Sequence, residues 1–277
     1  MDLAVSGESV PVLTIEPSPE TVKGPLTDLV FLHGYGRAPE DYRDFLSAIA
    51  AQGYRVVAPF LFANGGLRRG PVHFWSCMRL AHRTLERLIE GGQLAPGAPV
   101  IGHSTGAAVS LTTAKGPLRP RAIVAINPVQ PSSGAAILFM ARSAWMNTKM
   151  ALGLAGDGAR ARRVLLDSGG RFWANWLRSP IRNFRLIGGL RAYDYESLAR
   201  WYRDLAPVEA PAAVIYGHGD EFYPSPDGLR RGLERSFQTL RVIERPEQNS
   251  HEWLLFRPEL AASLTEPLLL GRPAVEE

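Results

Sequence analysis

The stretch Ala98-Pro99-Val100-Ile101-Gly102-His103-Ser104-Thr105-Gly106-Ala107-Ala108-Val109 decides how the rest of the chain is read. Its apolar start reads as a buried strand, and its small-residue end reads as a helix. Between them stands G-x-S-x-G, spelled Gly102-His103-Ser104-Thr105-Gly106. A serine held in a very tight strand-to-helix turn has strained backbone dihedrals, and the flanking glycines let neighbouring segments pass close by. Such a turn raises the hydroxyl at the carboxyl edge of a sheet, against the positive end of the new helix. The same letters also fit a plain glycine-rich turn, so the surrounding strands have to carry the argument.

Working outward, apolar runs alternate with helical patterns. Residues 3–5 and 10–15 read as short edge strands, 24–27 as a turn, and 28–32 as a fully buried strand. A helix is predicted over 39–52, a strand over 54–60 and a helix over 73–90. After the central stretch come a strand over 121–127 and, further on, strands over 212–216 and 240–243. A helix is expected over 227–234 and a closing helix over 253–270. This alternation predicts an α/β fold, a mostly parallel sheet with helices on both faces. It stops between 129 and 198, where the pattern turns helical. The predicted organisation is a core made of 1–128 and 199–277, with 129–198 inserted as a helical cap.

Composition narrows the function classes. The chain has 277 residues, is 45% hydrophobic and carries a net charge of +4. Its single cysteine, Cys77, permits no internal disulfide and fits a reducing compartment. The first residues have neither the basic start nor the apolar core of a signal peptide, and no stretch has the roughly 18 apolar residues of a membrane span. A cytoplasmic protein is expected. Residues 129–200 hold eleven basic and four acidic residues, so the remainder of the chain is net negative. A basic cap of this kind can meet an anionic substrate or an anionic surface; a solvated basic face is an equally good reading. No nucleic-acid recognition module accompanies it, and nucleic acid is not an expected partner.

A neutral serine needs a base within hydrogen-bond reach, a carboxylate to hold that base, and donors aimed at the developing oxyanion. Strand ends are where these should gather. Asp220 follows the strand at 212–216, in Tyr216-Gly217-His218-Gly219-Asp220, with Glu221 as its rival. His251 follows the last strand, in Asn249-Ser250-His251-Glu252-Trp253. Of the other histidines, His33 is expected to brace a loop, His73 and His82 to sit on a helix, and His103 to point away from the serine. His218 is the rival base. In His33-Gly34-Tyr35-Gly36 the glycines let the backbone approach a reacting carbonyl, so the amides of Tyr35 and Thr105 are the expected oxyanion donors.

Taken together, these pieces resemble an α/β-hydrolase. The matching residues are His33-Gly34-Tyr35-Gly36, Gly102-His103-Ser104-Thr105-Gly106, Gly217-His218-Gly219-Asp220 with Pro224 behind, and Ser250-His251 followed by Arg257-Pro258-Glu259. The chain departs from many members at Ala107 and Ser250, where glycine is common. The resemblance implies Ser104 as nucleophile, Asp220 as acid, His251 as base, and a helical lid between the sixth and seventh core strands. It implies a serine hydrolase of the carboxylesterase or lipase-like kind, acting on an ester, thioester or amide of a small acyl substrate. The same constellation can serve an acyltransferase, a carbon–carbon bond hydrolase or a lyase, or survive in a low-turnover ligand-binding protein. No metal or other cofactor is expected. Trp145, Met146, Trp173 and Trp176 are candidates for an apolar acyl pocket, although each can equally pack the cap onto the core. The oligomeric state is left open.

Overall fold

In the computed structural model, the described residues are 1–5, 8–22, 24–34, 37–61, 74–128, 136–155, 158–169, 208–217, 220, 233–234, 237–245 and 250–270. They build an eight-stranded sheet. The strands are β1 (Asp2–Val5), β2 (Glu8–Ile15), β3 (Thr27–Leu32), β4 (Tyr54–Pro59), β5 (Val100–His103), β6 (Ile123–Ile126), β7 (Ala212–Gly217) and β8 (Leu240–Arg245). Their order across the sheet is β1-β2-β4-β3-β5-β6-β7-β8. β1 and β2 pair antiparallel, as do β2 and β4; every other neighbour is parallel. The α/β reading of the alternating pattern therefore holds.

Side-chain period two divides the core between the two faces. Val30, Leu32, Val100, Ile123, Ala125, Ala212 and Val214 face one apolar cluster; Leu29, Phe31, Ile101, Val124, Ile126, Ala213 and Ile215 face the other. Two covered faces explain why these strands are apolar without alternation. Helices α2 (Phe74–Glu90) and α3 (Thr105–Thr112) cover the first face. The second is covered by α1 (Arg43–Ala50), α6 (Trp253–Phe256) and α7 (Pro258–Leu269). All eight residues of α3 are buried. Only small side chains let a helix sit that deep, which is what the run after Ser104 supplies.

Some boundaries move for identifiable reasons. The helix expected over 39–52 starts as a 3-10 turn over Pro39–Tyr42, and only Arg43–Ala50 is α-helical. The closing helix is two helices, not one. It breaks at Arg257, and Pro258, which has no backbone N–H to donate, opens the second segment. The helix expected over 227–234 lies almost wholly outside the described residues.

Between β6 and β7 come α4 (Ala136–Ala151), α5 (Gly158–Val164) and a π-helical turn over Leu165–Gly169. Met146, Met150, Ala155 and Ala161 join the second apolar cluster, beside Trp253 and Leu254. Arg160 forms ion pairs with Asp44 on α1 and Glu259 on α7, a polar tie between α5 and the sheet-flanking helices.

Candidate active site

Ser104 sits between β5 and α3 with φ 56° and ψ −120°. A non-glycine residue there carries strain of about 1–3 kcal/mol, which persists only when the surroundings enforce it. The surroundings do so through the two glycines of the motif. A Cβ on Gly102 would collide with the Gly106 carbonyl, and one on Gly106 would collide with the Leu32 carbonyl at the end of β3. The Ser104 N–H is anchored to the Ile126 carbonyl at 3.0 Å. Thr105 opens α3, so its amide belongs to the first turn, where no intrahelical acceptor exists.

The carboxyl ends of β7 and β8 bring the other two groups. His251 Nε2 lies 2.7 Å from Ser104 Oγ. Its Nδ1 lies 2.8 and 2.9 Å from the two carboxylate oxygens of Asp220. An ionised carboxylate can only accept, so Nδ1 carries the proton and Nε2 offers its lone pair to the serine hydroxyl. All three residues are buried. The three side chains singled out in the sequence thus meet in the order serine, imidazole, carboxylate.

The fold comes with a sequence match that is equally extensive. The alpha/beta hydrolase family pattern matches residues 29–264. The chain belongs to the alpha/beta hydrolase family. Among curated proteins it is similar to the magnesium-chelatase 30 kDa subunit of Rhodobacter capsulatus, 26% identical over 229 residues that cover 78% of each protein. Among solved structures it resembles the enol-lactonase of Burkholderia xenovorans LB400, at TM-score 0.69 and 16% identity over 98% of this chain and 100% of that one. It also resembles a hydrolase from Pseudomonas aeruginosa PA01, at TM-score 0.68 and 21% identity over 98% of both chains. At these identities the two structures speak for the alpha/beta hydrolase fold.

Within this alpha/beta hydrolase scaffold the other described histidines, His33, His82 and His103, have partners of their own. His33 Nδ1 donates to the Gly34 carbonyl at 2.9 Å while Nε2 accepts from the Leu61 N–H, so it braces its loop as expected. Burial lowers it to about 4, against the opposing pull of that carbonyl. His82 contacts Thr112 Oγ1. His103 turns away from the serine, toward Tyr42 and the His251 carbonyl. His73, His218 and Glu221 lie outside the described residues, as do Tyr35, Trp173 and Trp176.

Trp145 and Met146 part company. Met146 is buried in the core cluster, whereas Trp145 is 55% exposed. Consecutive helical residues point about 100° apart, and here Met146 faces the cluster while Trp145 faces outward. Of the four residues expected to line an apolar acyl pocket, the described two thus lie one in the core and one at the surface.

The sequence reading passed over three groups. Asn127, buried with φ 46°, ends β6. Its Nδ2 donates to the His251 carbonyl at 2.7 Å, and its Oδ1 accepts from the Gly217 N–H and from Trp253 Nε1. One amide therefore joins the ends of β6 and β7 to the loop that carries the imidazole. Its signal was a polar residue closing an apolar strand at the sheet edge that collects functional groups. The second group is Tyr42. The third is a buried ion pair, Arg37 Nη2 to Glu252 Oε1 at 3.2 Å. Burial pushes the Glu252 carboxyl up, but Arg37, with His103 and His251, outweighs it and holds the carboxyl below its ordinary value.

Among the described residues no group of three or more His, Cys, Asp or Glu side chains is arranged to hold a metal ion. No helix among them is long and apolar enough to cross a membrane.

Proposed function

We propose that the chain is a serine hydrolase that cleaves a carboxylic ester, thioester or amide through an acyl-enzyme on Ser104. The observation that carries this reading is the 2.7 Å contact from Ser104 Oγ to His251 Nε2, with Asp220 at 2.8 Å behind the same ring. In this reaction His251 takes the Ser104 proton as Oγ attacks the substrate carbonyl carbon. Asp220 stabilises the imidazolium that forms. The Thr105 amide, joined by that of Tyr35, binds the tetrahedral oxyanion. The imidazolium then gives its proton to the leaving alcohol, thiol or amine, and the carbon–heteroatom bond breaks. His251 next deprotonates a water that attacks the acyl-serine. Collapse of that second intermediate releases the carboxylic acid, and Ser104 recovers its proton.

Residues 129–198 act in this reading as a cap that selects the acyl group. Support comes from the placement of α4 and α5 between β6 and β7 and from the basic charge concentrated there. A fluorophosphonate probe tests the nucleophile. Wild-type protein should be labelled stoichiometrically, with fluoride released as the Oγ–phosphorus bond forms, and Ser104→Ala should not be labelled. Equal labelling of the two would dispose of Ser104 as the nucleophile. A series of p-nitrophenyl esters of increasing acyl length then reads the cap's preference.

A further inference from the structure

Arg37 N donates to the Gly34 carbonyl at 3.2 Å, so a tight turn leads out of β3. This turn lies against the nucleophile: a Cβ built on Gly34 would stand 3.0 Å from Ser104 Cβ and 3.1 Å from Tyr42 Oη. Both ends of the turn are tied to the loop of the base, by separate routes.

The first route starts at the Gly34 N–H, which donates to Tyr42 Oη at 3.2 Å. That hydroxyl meets His103 Nδ1 at 2.8 Å, and His103 Nε2 meets the His251 carbonyl at 3.0 Å. The direction of each link is determined. A carbonyl only accepts, so His103 carries its proton on Nε2. Burial lowers His103 to about 4, so near neutral pH the ring is uncharged and Nδ1 accepts. The Tyr42 proton therefore goes to Nδ1, and its lone pair takes the Gly34 N–H. The second route is shorter. The Arg37 guanidinium meets Glu252 Oε1 through Nη2 at 3.2 Å and Nε at 3.3 Å. The two routes end on consecutive residues, 251 and 252.

We propose that Tyr42, His103, Arg37 and Glu252 are positioning residues that together form a two-armed brace. The brace sets Gly34 and Arg37, the described residues on either side of the proposed oxyanion donor, at a fixed distance from the base His251. This rests on the serine hydrolase reading above. A group held by apolar packing alone would leave the backbone of a glycine turn free to shift over the serine. A displacement of about 1 Å in such a site can cost about 100-fold in rate. The brace replaces that freedom with hydrogen bonds whose donors and acceptors are all fixed.

The test compares wild type, Ser104→Ala, Tyr42→Phe and the double variant Arg37→Met/Glu252→Gln. Tyr42→Phe removes one hydroxyl and keeps the ring in the core. The double variant opens the second arm without leaving a buried charge alone. Steady-state hydrolysis of a p-nitrophenyl ester gives kcat and KM, and a trifluoromethyl ketone, which forms a tetrahedral adduct, gives Ki. Thermal melts report the folded fraction. Tyr42→Phe is expected to lower kcat about 10- to 100-fold and to leave KM within about twofold. Ki should rise in step with the loss of kcat/KM. The double variant should show the same split. A triple variant, Tyr42→Phe with Arg37→Met and Glu252→Gln, opens both arms and should cost less than the product of the separate losses, since each frees the same turn.

Both arms retaining wild-type kcat and Ki, with Ser104→Ala inactive, would overturn the brace and leave the hydrolase reading standing. So would a loss of rate that only tracks the folded fraction. A wild-type protein that neither turns over the ester nor reacts with a fluorophosphonate would overturn both.

Discussion

The strained serine can be weighed directly by comparing Ser104→Gly with Ser104→Ala. Both variants lose the hydroxyl and its 2.7 Å contact with His251, so that contribution cancels in the comparison. What remains is the backbone. At φ 56° and ψ −120° an alanine keeps the strain of the wild-type residue, about 1–3 kcal/mol, while a glycine relieves it. Glycine in turn loses about 0.4–1 kcal/mol through the greater freedom of the unfolded chain. The balance favours glycine by about 1 kcal/mol. At an unstrained site the order is reversed, and alanine is the more stable by a similar amount. Urea denaturation of the two inactive variants, followed by tryptophan fluorescence, measures the difference. Ser104→Gly should unfold at the higher urea concentration. An alanine variant as stable as the glycine variant, or more so, would refute the claim that the turn stores strain.

Three further outcomes follow from the geometry. Asp220→Asn keeps the shape of the site but presents an amide to Nδ1; ester hydrolysis should fall by about 10⁴ in kcat while the circular dichroism spectrum is retained. Gly106→Ala should yield little soluble folded protein, because the added methyl meets the backbone of Leu32 and His33 and no flexible side chain can yield; a soluble yield and melting temperature like wild type would contradict the close approach. Acidification should destabilise the protein well above the carboxylate range. His33 and His103 are each lowered by burial from about 6.5 to about 4. The unfolded rings therefore take up protons first as pH falls below about 6.5, and each contributes a loss of about 2 kcal/mol between pH 7 and pH 5. Glu252, held below its ordinary value, adds to the loss only at lower pH, through the range below about 4.5. A urea midpoint that stays flat from pH 7 to pH 5 would contradict the neutral buried rings.

What was legible in the sequence has a common physical source. The elbow is a local steric demand: β5, Ser104 and α3 can turn that sharply only with Gly102 and Gly106 beside them, so the requirement is spelled within five letters. Asp220 and His251 could be picked out because parallel strands deliver their carboxyl ends to one edge, whatever lies between them. Tyr42 and the Arg37–Glu252 pair carry no such signal, and Asn127 carries only its place at the carboxyl end of β6. The pair joins residues 215 apart in the chain, and the Asn127 bond to the His251 carbonyl spans 124. Each partner looks like an ordinary polar residue until the sheet has formed. Helix boundaries failed where a single residue governed them, as Pro258 does in dividing the closing segment. The orientation of Trp145 depended on which stripe of α4 joins the core cluster, and composition does not encode that.

The complete enclosure of α3 has a consequence for variation. A helix with a watery side accepts polar replacements at every third or fourth position, as α7 does at Glu259 and Ser263, both exposed. Thr105–Thr112 has no such side. A saturation library over this segment should show an unbroken block of intolerance, with bulky and charged replacements eliminated at all eight positions. New specificities would then have to be drawn from other parts of the chain, while the helix behind the serine stays as it is.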